Sequence, residues 1–314
     1  MNIVLLESLS ISPELLSIHA DKLAALGHML TAYERCDDPA VISERCREAD
    51  AIMLANMPLS AECFEGCEQL RYVDVAFTGV DHVPMDYFKH KRIKVSNASG
   101  YATEAVAELC IEYMISLLRK VSAVEQRLRC GGTRDGLVGN LLRYKTVGIV
   151  GCGAIGKRVA ELCKAFGCRV LACNTSRVRS SAVDDQLPLE EMLPKCDIVT
   201  LHVPLTAKTA GLMGKEQLSM MKPSAILLNT ARGAVVDTEA VVNALHSGSL
   251  AGYAADVFES EPPLADHPLF HTPNTLLTPH IGFVSEESLQ IRAEMVFENL
   301  YAWLEDGTVL NRVK

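Results

Sequence analysis

The sequence predicts an α/β protein with two domains, each a doubly wound parallel sheet, and three observations carry that expectation. Short apolar runs rich in β-branched residues alternate with helical patterns, the order in which parallel strands and crossover helices follow one another. At 314 residues the chain is long for one hydrophobic core, which favours two domains. Only the later half carries a glycine fingerprint, inside KTVGIVGCGAIGKRVAELCKAFGCRVLACNTSR from Lys145 to Arg177, so the halves are expected to differ in task.

Taken in order, the candidate strands of the first half are Asn2 to Leu6, His28 to Tyr33, Ala51 to Ala55, Leu70 to Val75 and Ile93 to Ser96. Leu15, Ile18, Leu23 and Leu26 form a helical stripe between the first two. In AFTGVDHV the chain turns directly after a strand. Ligands of open α/β sheets bind beyond the carboxyl ends of strands, so the amides of Thr78 and Gly79 could face one; a plain turn at Gly79 is the alternative. A long helix is then expected, with Thr103 as N-cap and Glu104 in its first turn. Its apolar side runs through Val106, Leu109, Tyr113, Met114, Leu117, Leu118, Val121, Val124 and Leu128. This helix leads out of the first domain, and GGTRDGLVGN delivers the chain to Lys145.

Thr146 to Val150 suits a strand buried on both faces of a parallel sheet. Gly151, Gly153 and Gly156 follow at the G-x-G-x-x-G spacing: the first permits a tight turn, the second lets backbone approach a pyrophosphate, the third lets helix and strand pack closely. Ile155, Val159, Leu162, Cys163 and Phe166 recur at helical spacing, which points the free N–H groups of a helix start at the phosphates. Gly167 ends that helix and CRVLACN returns as a strand. Where an acidic residue would accept hydrogen bonds from the ribose of NAD stands Asn174, followed by Thr175, Ser176, Arg177 and, two residues on, Arg179. A carboxylate there would repel a 2′-phosphate, whereas hydroxyls and guanidinium groups accept one, so the segment leans towards NADP; a merely solvated loop would leave NAD open.

The strand rhythm resumes at Asp197 to Val203, Ala225 to Thr230, Ala251 to Val257 and Thr275 to Thr278. Arg232 in NTARG, Glu261 in ADVFESEP and His280 in TPHIG stand just past the last three. Singly they read as a surface ion-pair partner, a solvated carboxylate and a satisfied histidine. Strand ends of a parallel sheet share one edge, however, so the three are expected to converge where a nicotinamide would lie. A final helix, Glu286 to Leu304, with Leu289, Met295, Val296, Leu300 and Trp303 among its apolar positions, is expected to return to the first domain.

Composition bounds the partners. With 49% hydrophobic and 22% charged residues, no apolar run long enough for a bilayer, and MNIVLLESLS lacking a signal peptide's basic start and cleavage site, the expected location is the cytoplasm. The eleven cysteines form no CxxC pair and read as buried thiols in a reducing compartment. Cys63 and Cys67 lack the companions a metal would need, so no metal is expected. A net charge of −9 argues against nucleic acid.

KTVGIVGCGAIGKRVA, LHVPLTAKTAGLM, LLNTARGAVVDTEAV, AADVFESEPP and LTPHIG, in this order and spacing, resemble the D-isomer-specific 2-hydroxyacid dehydrogenases over nearly the whole chain. The resemblance implies a Rossmann nucleotide-binding domain (residues 100–285) inserted in a flavodoxin-like substrate domain (1–99 plus 286–314). Hydride transfer demands reacting atoms in close contact without water, so closure of the two domains about hinges near Gly100 and Val284 is expected. The resemblance also implies Arg232, Glu261 and His280 as catalytic, with the Thr78 and Gly79 amides, beside Arg232, on the substrate carboxylate. Cofactor contacts would come from Gly151, Gly153, Ala154, Ile155, Gly156, Val203, Pro204, Thr230, Asp256 and Gly282, with Asn174, Thr175, Ser176 and Arg177 near the ribose. It further implies a small 2-keto or 2-hydroxy acid as substrate, NADP or NAD as cofactor, and a homodimer. NTSRVR is similar to the segment of glyoxylate and hydroxypyruvate reductases that accept NADPH. A dinucleotide-sensing corepressor is the alternative, and one that would not need all three of Arg232, Glu261 and His280.

Overall fold

The computed structural model describes residues 1–313, which divide into two compact units: Met1–Ala102 with the segment from Phe283 onward, and Thr103–Gly282. The first contains β1 (Asn2–Leu5), α1 (Pro13–Ala25), β2 (Met29–Ala32), α2 (Pro39–Cys46), β3 (Ala51–Leu54), β4 (Tyr72–Val75), α3 (Met85–His90) and β5 (Lys94–Asn97). Its strands are all parallel in the order β2-β1-β3-β4-β5, which reverses direction between β1 and β3, the flavodoxin-like pattern. The two early helices start where their caps dictate: Ser12 and Asp38 accept the amides of Leu15 and Ala40, each followed by a proline at the first helical position.

The second unit contains α4 (Thr103–Arg119), α5 (Val121–Arg129), β6 (Thr146–Val150), α6 (Ala154–Ala165), β7 (Arg169–Cys173), β8 (Asp185–Gln186), α7 (Leu189–Met192), β9 (Ile198–Leu201), α8 (Lys215–Met220), β10 (Ile226–Asn229), α9 (Thr238–Ser247), β11 (Gly252–Ala255) and β12 (Thr275–Leu277). Its seven parallel strands run β12-β11-β10-β9-β6-β7-β8, the Rossmann order with one added strand. The central strands β6, β9 and β10 are apolar on both faces because helices cover both. The chain then returns to the first unit as α10 (Glu286–Asp306), started by the Ser285 hydroxyl on the Ser288 amide and closed by Gly307 at φ 81°.

Some expectations change. The single helix from Thr103 to Leu128 is two, because Lys120 adopts the left-handed conformation (φ 55°, ψ 39°), which cannot continue a right-handed hydrogen-bond ladder. Val121 and Leu128, expected on its apolar side, are therefore exposed. Thr103 is the first helical residue, not the cap. In α1, Leu23 is buried while Ile18 is exposed, since five residues rotate a side chain about 140° around the axis. Leu26 lies beyond the helix end, also exposed. The two-residue edge strand β8 carried no apolar pattern to predict it.

In the first unit α10 packs on β4: Trp303 stacks on Tyr72 at 4.8 Å, and Asn299 donates to the buried carboxyl of Asp74 at 3.1 Å. Burial pushes the Asp74 carboxyl up to about 8, against the hydrogen bonds of Asn299 and Tyr72.

Candidate active site

Three glycines shape the turn between β6 and α6. Gly151 has φ +91°, and a Cβ there would stand 2.6 Å from the His202 carbonyl oxygen; at Gly156 it would stand 2.2 Å from the Gly151 carbonyl. Both positions exclude a side chain. At Gly153, by contrast, a Cβ would meet nothing within 4 Å, so open space lies against the backbone at the helix start. No side chain caps this N-terminus, and Gly153 and Ala154 are exposed, with Ile155 half-buried behind them. An uncapped helix start over an empty glycine fits a pyrophosphate. On the neighbouring strand end, the Nδ1 of His202 is buried with no hydrogen-bond partner among the described residues, and burial pushes this imidazole down to about 4, leaving it neutral.

Asn174, at the end of β7, turns its carboxamide inward. Its Oδ1 accepts the Cys152 amide at 3.1 Å, and its Nδ2 donates to the Ser176 carbonyl and hydroxyl at 3.1 and 3.0 Å. Gln186 on β8 completes the clamp: its Nε2 donates to the carbonyls of Asn174 and Ser176, and its Oε1 accepts the Val178 amide. Thr175, Ser176, Arg177 and Arg179 are the exposed residues of the loop so held. Sequence reading missed Gln186, since a lone glutamine in a polar stretch carries no signal.

The three polar residues beyond the last strands each have a fixed support. Past β10, the Asn229 side chain accepts the Ala231 amide at 3.1 Å and donates to the Arg232 carbonyl at 2.8 Å, which shapes the turn that carries Arg232. The Arg232 guanidinium is half-buried and donates from Nη1 to the Ala231 carbonyl at 2.8 Å. Past β11, Glu261 accepts the Phe258 amide on Oε1 at 3.2 Å, while its Oε2 meets the His280 Nδ1 at 2.6 Å. Burial pushes the Glu261 carboxyl up, yet the hydrogen bond and charge of His280, the Phe258 amide and the charge of Arg232 outweigh it and hold it below its ordinary value. It is therefore an ionised partner for the imidazole.

His280 itself sits at φ 54°, and the groups that hold it there are those of Asp256. The Asp256 carbonyl accepts the His280 amide at 2.8 Å. Its carboxylate accepts the amides of Ile281 and Gly282, each at 2.8 Å, and the Thr278 hydroxyl at 2.5 Å; Thr278 also bonds the Tyr113 hydroxyl. Burial raises the Asp256 carboxyl in spite of these bonds. Asp256 and Gly282, expected at the cofactor, are thus tied to each other in shaping the histidine loop. Thr230 lies 3.4 Å from the Cys110 sulfur, Val203 is half-buried, and Pro204 is exposed with its carbonyl bonded to the Thr209 hydroxyl. In the first unit, Thr78 and Gly79 follow β4, fastened by the Asn97 amide on the Thr78 carbonyl at 2.8 Å.

Residues 111–282 match the family model for the D-isomer specific 2-hydroxyacid dehydrogenase NAD binding domain. A glyoxylate reductase of Korarchaeum cryptofilum is 38% identical over 272 residues, spanning 84% of this chain and 82% of that one. The chain belongs to the D-isomer-specific 2-hydroxyacid dehydrogenases. A glycerate dehydrogenase of Methylorubrum extorquens is 35% identical over 289 residues, 88% of this chain and 90% of its own. Among solved structures, the NADPH-dependent glyoxylate/hydroxypyruvate reductase of Sinorhizobium meliloti, in complex with NADP and malonate, superposes with a TM-score of 0.87 at 29% identity, covering 99% and 96% of the two chains. As a 2-hydroxyacid dehydrogenase the protein transfers a hydride between NAD(P) and a small 2-keto or 2-hydroxy acid. A sensing role is not favoured. No helix among the described residues is long and apolar enough to cross a membrane.

Proposed function

We propose that the enzyme reduces a small 2-keto acid with NADPH, using Arg232, Glu261 and His280 as its reacting set. The observation that carries this reading is the 2.6 Å contact between the His280 Nδ1 and an ionised Glu261 whose carboxyl also responds to the charge of Arg232. The bound dinucleotide supplies the hydride. The protein supplies the rest. With Nδ1 engaged by Glu261, the His280 Nε2 gives a proton to the substrate carbonyl oxygen, and Glu261 keeps the ring oriented and balances its charge. The planar guanidinium of Arg232 binds the substrate carboxylate and polarises the carbonyl. In the first unit, the amides of Thr78 and Gly79 are the proposed holders of a substrate carboxylate. Asp256 is a positioning residue: it sets the backbone that presents His280.

For the cofactor, Gly151, Gly153, Ala154, Ile155 and Gly156 cradle the pyrophosphate, and Ser176, Arg177 and Arg179 receive a 2′-phosphate. Support for NADPH is that Asn174 presents no carboxylate, its amide being spent on Cys152 and Ser176. We further infer a cytoplasmic homodimer. Eleven free cysteines support a reducing compartment, and α5, with no buried residue and Val121, Leu128, Val138, Leu141 and Tyr144 exposed on and after it, supports a face covered by a second copy. The deciding experiment is oxidation of NADPH and NADH across a panel of 2-keto acids, beginning with glyoxylate, the substrate in its relatives' names. NADPH-linked turnover that becomes NADH-linked in Arg177→Ala is expected; no turnover with any keto acid would contradict the reading.

A further inference from the structure

The first unit buries a second arginine that the reaction above does not use. Arg292, on α10, is 2% exposed. Its Nη2 donates to the Leu9 carbonyl at 2.6 Å, but its Nε is buried with no hydrogen-bond partner, and among the described residues no carboxylate pairs with it. What surrounds the guanidinium is aromatic: the rings of Tyr101 and Phe283 lie 5.8 and 5.6 Å away, and Phe77 packs against both, at 6.5 and 5.2 Å. Phe77 directly precedes Thr78 and Gly79.

A buried cation without a counter-anion is expensive, and ring contacts near the outer limit of cation–π distance offset little of that cost. A methionine or leucine would fill the same aromatic setting with no such penalty. The arginine is explained if an anion arrives with the ligand. We propose that Arg292 binds the distal carboxylate of a 2-keto dicarboxylic acid, with Phe77, Tyr101 and Phe283 as the walls of the side-chain subsite. The proposal rests on the reading that Thr78 and Gly79 hold the carboxylate next to the keto group. Arginine suits the task better than lysine because its planar fork can meet both carboxylate oxygens while still holding Leu9.

The test compares oxaloacetate with 2-oxobutyrate, equal in chain length, one ending in a carboxylate and the other in a methyl group. The native enzyme is expected to favour oxaloacetate in kcat/KM by about tenfold or more, a modest figure for a site built around a charged group. Arg292→Met should abolish or reverse that ratio, and Arg292→Lys should keep part of it. Equal use of the two acids by the native enzyme, or a ratio unmoved in Arg292→Met, would overturn the proposal; if the methionine variant does not fold, the ratio in Arg292→Lys decides. Should no keto acid be reduced, the reading of the reaction fails separately. Calorimetric titration of the NADP-loaded protein with malonate and with propionate then decides the subsite: malonate preferred by the native chain and not by Arg292→Met supports it, equal binding overturns it.

Discussion

The two parallel sheets differ in how the groups beyond their strand ends are held. In the second unit, Arg232, Glu261 and His280 stand on short loops, and each is fixed by a group at or just past the same strand ends: the Asn229 side chain for the arginine turn, the Phe258 backbone amide for the glutamate, the Asp256 carboxylate for the histidine loop. In the first unit the buried polar groups are tied across the fold, Arg292 to Leu9 and Asn299 to Asp74. The three proposed reacting groups would thus gain their angles from local hydrogen bonds, whereas the proposed side-chain subsite around Arg292 is assembled from distant segments.

That contrast can be broken most forcefully at the histidine. His280→Asn should keep the loop and remove the proton donor, lowering kcat for keto-acid reduction by about two to four powers of ten. A loss as small as that of a surface mutant would detach the imidazole from the chemistry. Next comes Arg232→Lys, which retains charge but loses the fork; a fall of about one to two powers of ten in kcat/KM is expected from charged hydrogen bonds worth roughly 1.5–3 kcal/mol each. Gly153→Ala sharpens the cradle. Its Cβ meets no protein atom within 4 Å, so the melting temperature without cofactor should hold while NADPH binding, followed by fluorescence, weakens by at least about tenfold, roughly 1.4 kcal/mol. Unaltered binding would place the pyrophosphate elsewhere.

The last test lies in the first unit and is read in stability, not turnover. Asp74 has its carboxyl pushed up by burial to about 8 from an ordinary 3.8. Below the lower value both folded and unfolded chains hold the proton. Between the two values only the folded chain does, so the fold loses stability as pH rises through that window. Asp74→Asn cannot ionise, and its melting temperature should therefore gain on the native protein from the acid to the alkaline end of the window. Parallel melting curves would show that this carboxyl is not the neutral core group described here.

The same contrast governs what could be read before the fold was known. The glycine turn, the strand alternation and the placement of Arg232, Glu261 and His280 past strand ends are local patterns, and the structure keeps each of them. Asn174 was visible, but its inward use was not, because the bond to Cys152 depends on where two loops meet. The break at Lys120 left no trace in residue type, since a lysine in the left-handed region is a tertiary outcome. Arg292 was hidden most deeply: its partner at Leu9 lies 283 residues away, and an arginine in a helix otherwise reads as solvated.

The central claim is that Glu261 works on the reaction through His280, and the pH dependence of kcat/KM for keto-acid reduction in the native enzyme and in Glu261→Gln tests it most directly. Removing the carboxylate that pairs with the imidazole should move the alkaline limb of the profile to lower pH. Superposable profiles would mean that the 2.6 Å contact has no part in proton transfer, and the account of this site would fail with it.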